Sequence, residues 1–281
     1  MKNFAIKLAA AGILTFAGAL ASPAAFAGKG GSAELIEAAV ASHSVDAIAA
    51  ELERTESLIC ERCVALVTNL TEDSRADVRQ VAAWWFARRP ALHDMMVAGF
   101  VADLPHGDTT AVRNAADFLG WSRTLTALPQ LRTAIHRGDL GVDARLALVR
   151  AVGFMAHTGG NEVLITAMAD VDAGVRAAAV VAWRDMLGQV SAQPVIALLA
   201  DADATVRAKS AAVIGGMREQ SGRAALEGLV ASDPSSQVRR NAAWALGQLG
   251  NAASAAVLRQ ASNDPSGLVS GVAKAALAQL H

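Results

Sequence analysis

The chain has 281 residues, of which 53% are hydrophobic and 4% aromatic, and its formal net charge is −1 at pH 7. A charge this close to zero lacks the basic excess with which proteins bind nucleic acid or an anionic membrane surface, so we expect neither kind of partner. The many small residues, alanine above all, favour closely packed helices over a sheet.

The first 27 residues are typical of an export signal. A positive start at Lys2 and Lys7 precedes an apolar run over about 8–20, and AFA ending at position 27 is a small-x-small cleavage pattern. The run is shorter than the roughly 20 apolar residues of a membrane span. We therefore expect cleavage before Gly28, which would remove two lysines and change the net charge from −1 to −3. The mature protein is predicted to be soluble and exported to a bacterial periplasm.

Two amphipathic segments without a repeat motif follow, at about 32–43 and 45–54. They predict a helical pair, so we assign residues 28–55 to an N-terminal linker and helical cap and residues 56–281 to a repeat domain.

Cys60 and Cys63 are the only cysteines, in the stretch SLICERCVAL at 57–66. A covalent haem would need histidine where Val64 stands, and zinc would need two more ligands, which the scattered histidines do not offer. A catalytic dithiol favours a helix N-terminus, whereas Thr55 resembles the N-cap and would place Cys60 beyond the first turn. In an oxidising compartment an intrahelical disulfide is the first interpretation, and two buried free thiols are the second.

From about residue 56 the sequence repeats with a period near 31 residues. An arginine follows a small apolar residue in six copies, and Ser270 replaces it in the seventh: Arg79, Arg113, Arg145, Arg176, Arg207 and Arg239. Six positions earlier stands an aspartate in every copy except the second, and we expect this acid to cap the following helix. Each unit predicts a helical hairpin that must stack on its neighbours to bury its apolar face.

The pattern D-x-x-x-x-V-R-x-x-A-A-x-x-L-G, as in DPSSQVRRNAAWALG at 233–247, resembles HEAT-like repeats of the short bilin-lyase (PBS lyase) type. The resemblance implies an all-α fold, a right-handed α-solenoid of about seven HEAT-like hairpins with an N-terminal cap. It also implies that the arginines make structural contacts between turns. Such repeats usually serve as binding scaffolds, and lyase chemistry belongs to few members.

Aromatic residues recur on one side of the second helix of these hairpins. The position five residues after the arginine lies about 120° from the packing stripe and should face outward. It holds Trp84, Phe118 and Trp244, and Trp121 lies near this side. Because interfaces are enriched in aromatic residues, we predict partner binding by these four, although Trp84 could instead fill a seam between repeats.

Motifs of common enzymes, such as G-x-S-x-G, H-E-x-x-H and phosphate-binding glycine loops, are missing from the sequence. The leading hypothesis is a non-enzymatic exported scaffold that binds a protein partner in an envelope or redox complex, without a metal or cofactor. Two alternatives stay open: an accessory factor or lyase that handles a tetrapyrrole or another cofactor, which rests on the resemblance, and a thiol-redox protein that uses Cys60 and Cys63.

Overall fold

The computed structural model describes residues 31–58 and 60–280, so the predicted export signal lies outside the described residues. This part of the chain forms fifteen α-helices joined by short turns and 3-10 segments, and it contains no strand. None of these helices combines the length and hydropathy that crossing a bilayer would require.

The first two helices form the predicted cap. Helix α1 spans Ala33–Ala41 and α2 spans Val45–Arg54. Each begins after a serine, because the Ser32 and Ser44 hydroxyls accept hydrogen bonds from backbone N–H groups of the first turn.

Seven hairpins follow, each made of a first and a second helix. They are α3 Glu61–Leu70 with α4 Ala76–Ala87, α5 Pro90–His106 with α6 Thr109–Trp121, α7 Leu128–Ala134 with α8 Val142–Met155, α9 Asn161–Ala167 with α10 Ala173–Asp185, a 3-10 helix Gln193–Ala200 with α11 Ala204–Gly216, α12 Arg223–Ser232 with α13 Ser236–Leu249, and α14 Ala255–Ala261 with α15 Gly267–Leu277. This is the predicted number of repeats.

The second helices pack side by side along the chain, from α4 to α15, and the first helices cover their other side. The residue before each repeat arginine, and before Ser270 in the seventh copy, points into the resulting core and is fully buried: Val78, Val112, Ala144, Val175, Val206, Val238 and Val269. The hydrophobic period therefore identified the packing face correctly, and the predicted α-solenoid is confirmed.

Most repeat arginines bind the aspartate of the next repeat. The Nε–Oδ2 distance is 2.7 Å in each of four pairs: Arg145–Asp170, Arg176–Asp201, Arg207–Asp233 and Arg239–Asp264. In three of them Nη1 also donates to the carbonyl of the arginine's own repeat aspartate, at 2.8 Å. These arginines are structural links between repeats, as the resemblance implied.

The repeat aspartates do not cap the second helices in the expected way. Asp170 and Asp201 each accept the backbone N–H of the residue two positions later, at 2.8 Å. The N-caps are those later residues, Asp172 and Asp203, whose carboxylates accept N–H groups of the first helical turn. The repeat aspartate thus serves the arginine of the preceding repeat and the turn, and in these two repeats a second acid caps the helix.

The second repeat interrupts this series of arginine–aspartate pairs. Gly107 stands where the aspartate is expected, and Arg79 instead binds Asp117 of α6. Within the part of the chain that the structure describes, Arg113 makes no inter-repeat ion pair, and its guanidinium contacts the side-chain oxygen of the neighbouring Asn114. Asp139, the aspartate of the next repeat, is bound by Arg137 at 2.6 Å. Arg79 therefore still links two repeats, through a different acid, whereas the expected contact between turns is not seen for Arg113 among the described residues.

Candidate partner-binding surface and cysteine pair

Phe118 does not face outward as predicted. It is 1% exposed and packs against Phe86 and Phe100, with ring-centroid distances of 6.0 and 4.6 Å, and against the His93 ring. Two of these neighbours lie on α5, which at 17 residues is longer than the other first helices and packs along α6. The second helix of this repeat is consequently buried on all sides over 114–120, and Phe118 belongs to the core.

Trp121 is half-buried and stacks on Phe154 of the next repeat. The two ring centroids are 3.5 Å apart and the rings are inclined by 29°. The Nε1 of Trp121 is buried and has no hydrogen-bond partner within the described residues. Sequence reasoning missed Phe154, which stands nine positions after Arg145 and therefore lies only about 40° from the position of Trp84 around its helix.

Trp84 and Trp244 occupy the same position in the first and sixth repeats. Trp84 is half-buried, and Trp244 is 39% exposed. The indole of Trp244 lies over α11, because a Cβ added at Gly215 would come within 3.0 Å of its ring. We call Trp84, Trp121, Phe154 and Trp244 the aromatic row, since their repeat positions all fall within about 60° of the Trp84 position around the second helix.

A cation accompanies the aromatic row. Arg150 occupies the Trp84 position in α8, and its side chain is 37% exposed. Its Nη2 donates to the buried carboxylate of Asp117 at 2.9 Å, and that carboxylate also binds Arg79. One buried acid thus binds two guanidinium groups, of which that of Arg150 is partly exposed and that of Arg79 is buried.

Cys60 and Cys63 are joined by a disulfide, with Cα atoms 5.1 Å apart. The expected position in the helix is wrong, however, because α3 begins at Glu61 and Cys60 is its N-cap. The Sγ of Cys60 accepts the backbone N–H of Cys63 at 3.0 Å. Thr55 ends α2 instead of starting the next helix, so the pair lies in the first turn of α3.

Arg89 fixes the segment that leads into Cys60. Its guanidinium carbon lies 3.3 Å from the centroid of the Trp85 ring, and its Nη2 donates to the carbonyls of Thr55, Glu56 and Leu58 at 2.7 to 2.9 Å. Both Arg89 and Trp85 are buried. The sequence RRP at 88–90 is typical of a helix end, and nothing in it shows that one of the two arginines turns inward.

Other features of the described residues offer less to a ligand. No cluster of three or more His, Cys, Asp or Glu side chains in this part of the chain could hold a metal ion. An open groove of about 650 Å³ lies between the 3-10 helix Gln193–Ala200 and α12, lined by small and apolar side chains together with Asp201, Arg207 and Asp233. These charged groups are already paired, Arg207 with Asp233 and Asp201 with Arg176.

Comparison with known proteins agrees with this architecture. Residues 192–278 match the family model of HEAT repeats. The structure of YibA from Escherichia coli is similar at 15% identity and a TM-score of 0.55, covering 88% of this chain and 90% of that chain. The chain therefore has an α-solenoid fold of HEAT-like repeats, and residues 192–278 match the HEAT family itself.

Two further structures are similar at lower TM-scores. Human deoxyhypusine hydroxylase in complex with glycerol has 18% identity and a TM-score of 0.39, covering 88% of this chain and 96% of its own. The complex of CpcE and CpcF of phycocyanin lyase from a Nostoc species has 19% identity and a TM-score of 0.40, with coverages of 76% and 86%. No curated protein matches this chain.

Proposed function

We propose that this protein is an exported, non-enzymatic scaffold that binds another protein along the aromatic row. The observation that carries the proposal is the placement of four partly exposed aromatic side chains on one side of the second helices, from α4 to α13. Aromatic residues supply most of the binding energy in many protein interfaces, because they bury a large area at a small entropic cost.

The solenoid suits this role because its stacked second helices form one extended surface. Trp244 exposes 39% of its surface while its ring packs against α11 at Gly215, so a partner would meet an indole that already has a neighbour in the solenoid. Arg150 adds a charged group near the middle of the aromatic row. This surface therefore complements a protein partner that presents apolar side chains to the aromatic row and a carboxylate to Arg150.

Export is part of the proposal. It is supported by the signal-like sequence of residues 1–27 and by the Cys60–Cys63 disulfide, since disulfides persist mainly in oxidising compartments. Fusion of residues 1–27 to a reporter that is active only outside the cytoplasm tests it, and a reporter that stays inactive would contradict export.

Partner binding is tested with mature protein carrying an affinity tag, cross-linked in envelope extracts of its native host. The triple variant Trp84→Ala/Trp121→Ala/Trp244→Ala should recover at least tenfold less of the captured protein, and Trp244→Ala alone should show a smaller loss. The matched control is Ile165→Ala, because Ile165 is 49% exposed but lies on the first helix α9.

Circular dichroism establishes that each variant is folded before capture. Equal recovery by the folded triple variant and by Ile165→Ala would overturn the assignment of the binding surface. The cofactor-handling alternative rests on the sequence resemblance alone, and a visible absorption band in protein purified from the native host would favour it over the scaffold.

A further inference from the structure

The Cys60–Cys63 disulfide lies where thiol chemistry is favoured. Cys60 is the N-cap of α3 and Cys63 stands in its first turn, which places the pair at the positive end of the helix dipole. Such a position stabilises a thiolate at the first cysteine of a C-x-x-C pair. The sulfur of Cys60 also accepts the N–H of Cys63, at 3.0 Å.

The two cysteine residues differ in exposure. Cys60 is half-buried, whereas Cys63 is fully buried in the core. An incoming thiolate can therefore approach Cys60 from solvent and leave Cys63 as the group that departs. This asymmetry defines one attacked sulfur and one resolving sulfur.

Stabilisation of the fold does not account for the bond. A disulfide that closes a loop of so few residues removes little entropy from the unfolded chain. The flanking segment is already held by Arg89 through three backbone carbonyls, and Arg62, between the cysteines, binds Glu34 and Glu37 of the cap at 2.9 and 2.5 Å. Other contacts thus hold the chain before the pair and the residue between the two cysteines.

We propose that Cys60 and Cys63 form an exchange-competent disulfide that accepts two electrons from the dithiol of another protein. One partner thiolate attacks Sγ of Cys60, the S–S bond breaks, and its electron pair passes to Sγ of Cys63, which takes up a proton. The second thiol of the partner then loses its proton and attacks the partner's first sulfur, which is bonded to Cys60 in the mixed disulfide. The partner leaves with a disulfide and this chain holds two thiols, with Cys60 released as a thiolate that the helix stabilises.

The Arg89 contacts should allow this cycle without loss of structure, because the chain before Cys60 stays attached to α4 whether or not the sulfurs are bonded. The activity is independent of the aromatic row. Failure of the exchange proposal can therefore be distinguished from failure of the proposed scaffold function. The first would leave a scaffold without redox activity, and the second a redox protein whose partner binds away from the aromatic row.

The first test compares two single-cysteine variants at pH 7 by their rate of reaction with an aromatic disulfide reagent. Cys63→Ser, which keeps Cys60, should react at least tenfold faster than Cys60→Ser, which keeps the buried Cys63. Serine can still cap α3 in Cys60→Ser, so the comparison is between two folded proteins, as checked by circular dichroism. Equal rates would overturn the proposal.

The second test mixes the oxidised full-length mature protein with stoichiometric reduced thioredoxin as a model dithiol, followed by acid quenching and alkylation. One thioredoxin disulfide should appear for each pair reduced, while the helical signal is retained. A native protein that leaves thioredoxin reduced, or one that loses its helical signal when the bond opens, would show that the disulfide is a structural cross-link, and the proposal would fail.

Discussion

Arg79 donates two hydrogen bonds to the carboxylate of Asp117, from Nε at 3.1 Å and from Nη2 at 2.6 Å, and both side chains are buried. Asp117 accepts a further bond from Arg150 at 2.9 Å. The carboxylate therefore joins the second helices of three consecutive repeats, α4, α6 and α8. It replaces the link that Gly107 cannot provide, and it lies beneath the part of the surface that carries the aromatic row.

Replacement of Asp117 by asparagine should strongly destabilise the fold. The amide preserves the size of the side chain but leaves the buried Arg79 without a counter-charge, and removal of one partner of a buried ion pair costs about 3–5 kcal/mol. The free energy of unfolding in urea measures the effect. The control is Asp185→Asn, because Asp185 pairs with Arg184 on the exposed surface; a change of less than about 1 kcal/mol is expected there. Similar losses in the two variants would contradict the role of Asp117.

Arg89→Ala should cost about 3 kcal/mol. The variant loses the cation–π contact with Trp85 and leaves carbonyls of the segment before Cys60 without a donor. Arg88→Ala is the matched neighbour, since Arg88 forms a half-exposed ion pair with Glu56 and should change stability by about 1 kcal/mol or less. Chemical denaturation of the two variants side by side distinguishes them, and equal stabilities would mean that Arg89 does not anchor the segment.

Two glycine substitutions should act in opposite directions. A Cβ at Gly215 would lie 2.6 Å from the Ala245 Cα and 3.0 Å from the Trp244 ring, so Gly215→Ala should destabilise by about 1–3 kcal/mol and displace the indole. A methyl group added at Gly228 in α12 would meet no atom within 4 Å, and Gly228→Ala should stabilise by about 0.5–1 kcal/mol. Thermal unfolding and tryptophan fluorescence measure both effects, and destabilisation by Gly228→Ala would refute this packing.

Acid should weaken the links between repeats. Hydrogen bonds from Arg176 and Arg239 hold the pKa values of Asp201 and Asp264 below the ordinary value of 3.8. As the pH falls, the unfolded chain therefore binds protons before the folded chain does. The stabilisation is complete above the ordinary pKa and is lost as the pH falls through the folded-state values.

The melting temperature, recorded from pH 6 to pH 3, should decline most steeply below about pH 4. Asp201→Asn should lower the melting temperature at pH 6 and reduce its dependence on pH, because one of the titrating links is gone. A melting temperature that is constant over this range in the native protein would show that these ion pairs contribute nothing to stability.

The repeat architecture could be predicted from the sequence because its determinants are local and periodic. A hydrophobic stripe every three to four residues defines one helix, and its recurrence near every 31 residues requires neighbours of the same kind. The fully buried positions before each arginine, from Val78 to Val269, are the ones that the period identified. Position-by-position alignment also revealed that Gly107 departs from the aspartate column, but not what compensates for it.

The candidate sites depended on contacts between repeats, which periodicity does not contain. Phe118 occupies an outward position in the alignment, yet the long α5 covers it, while Phe154 reaches Trp121 only because α6 and α8 lie side by side. The start of α3 also depends on a tertiary contact. Arg89 binds the backbone carbonyls before Cys60, and the helix begins at Glu61, directly after Cys60. Hairpin formation, the number of hairpins and their buried face follow from the sequence alone, because each depends on the period of the side chains. The exposure of each aromatic residue and the position of the cysteine pair at the start of a helix follow from packing between helices, because both depend on residues that are distant in the chain.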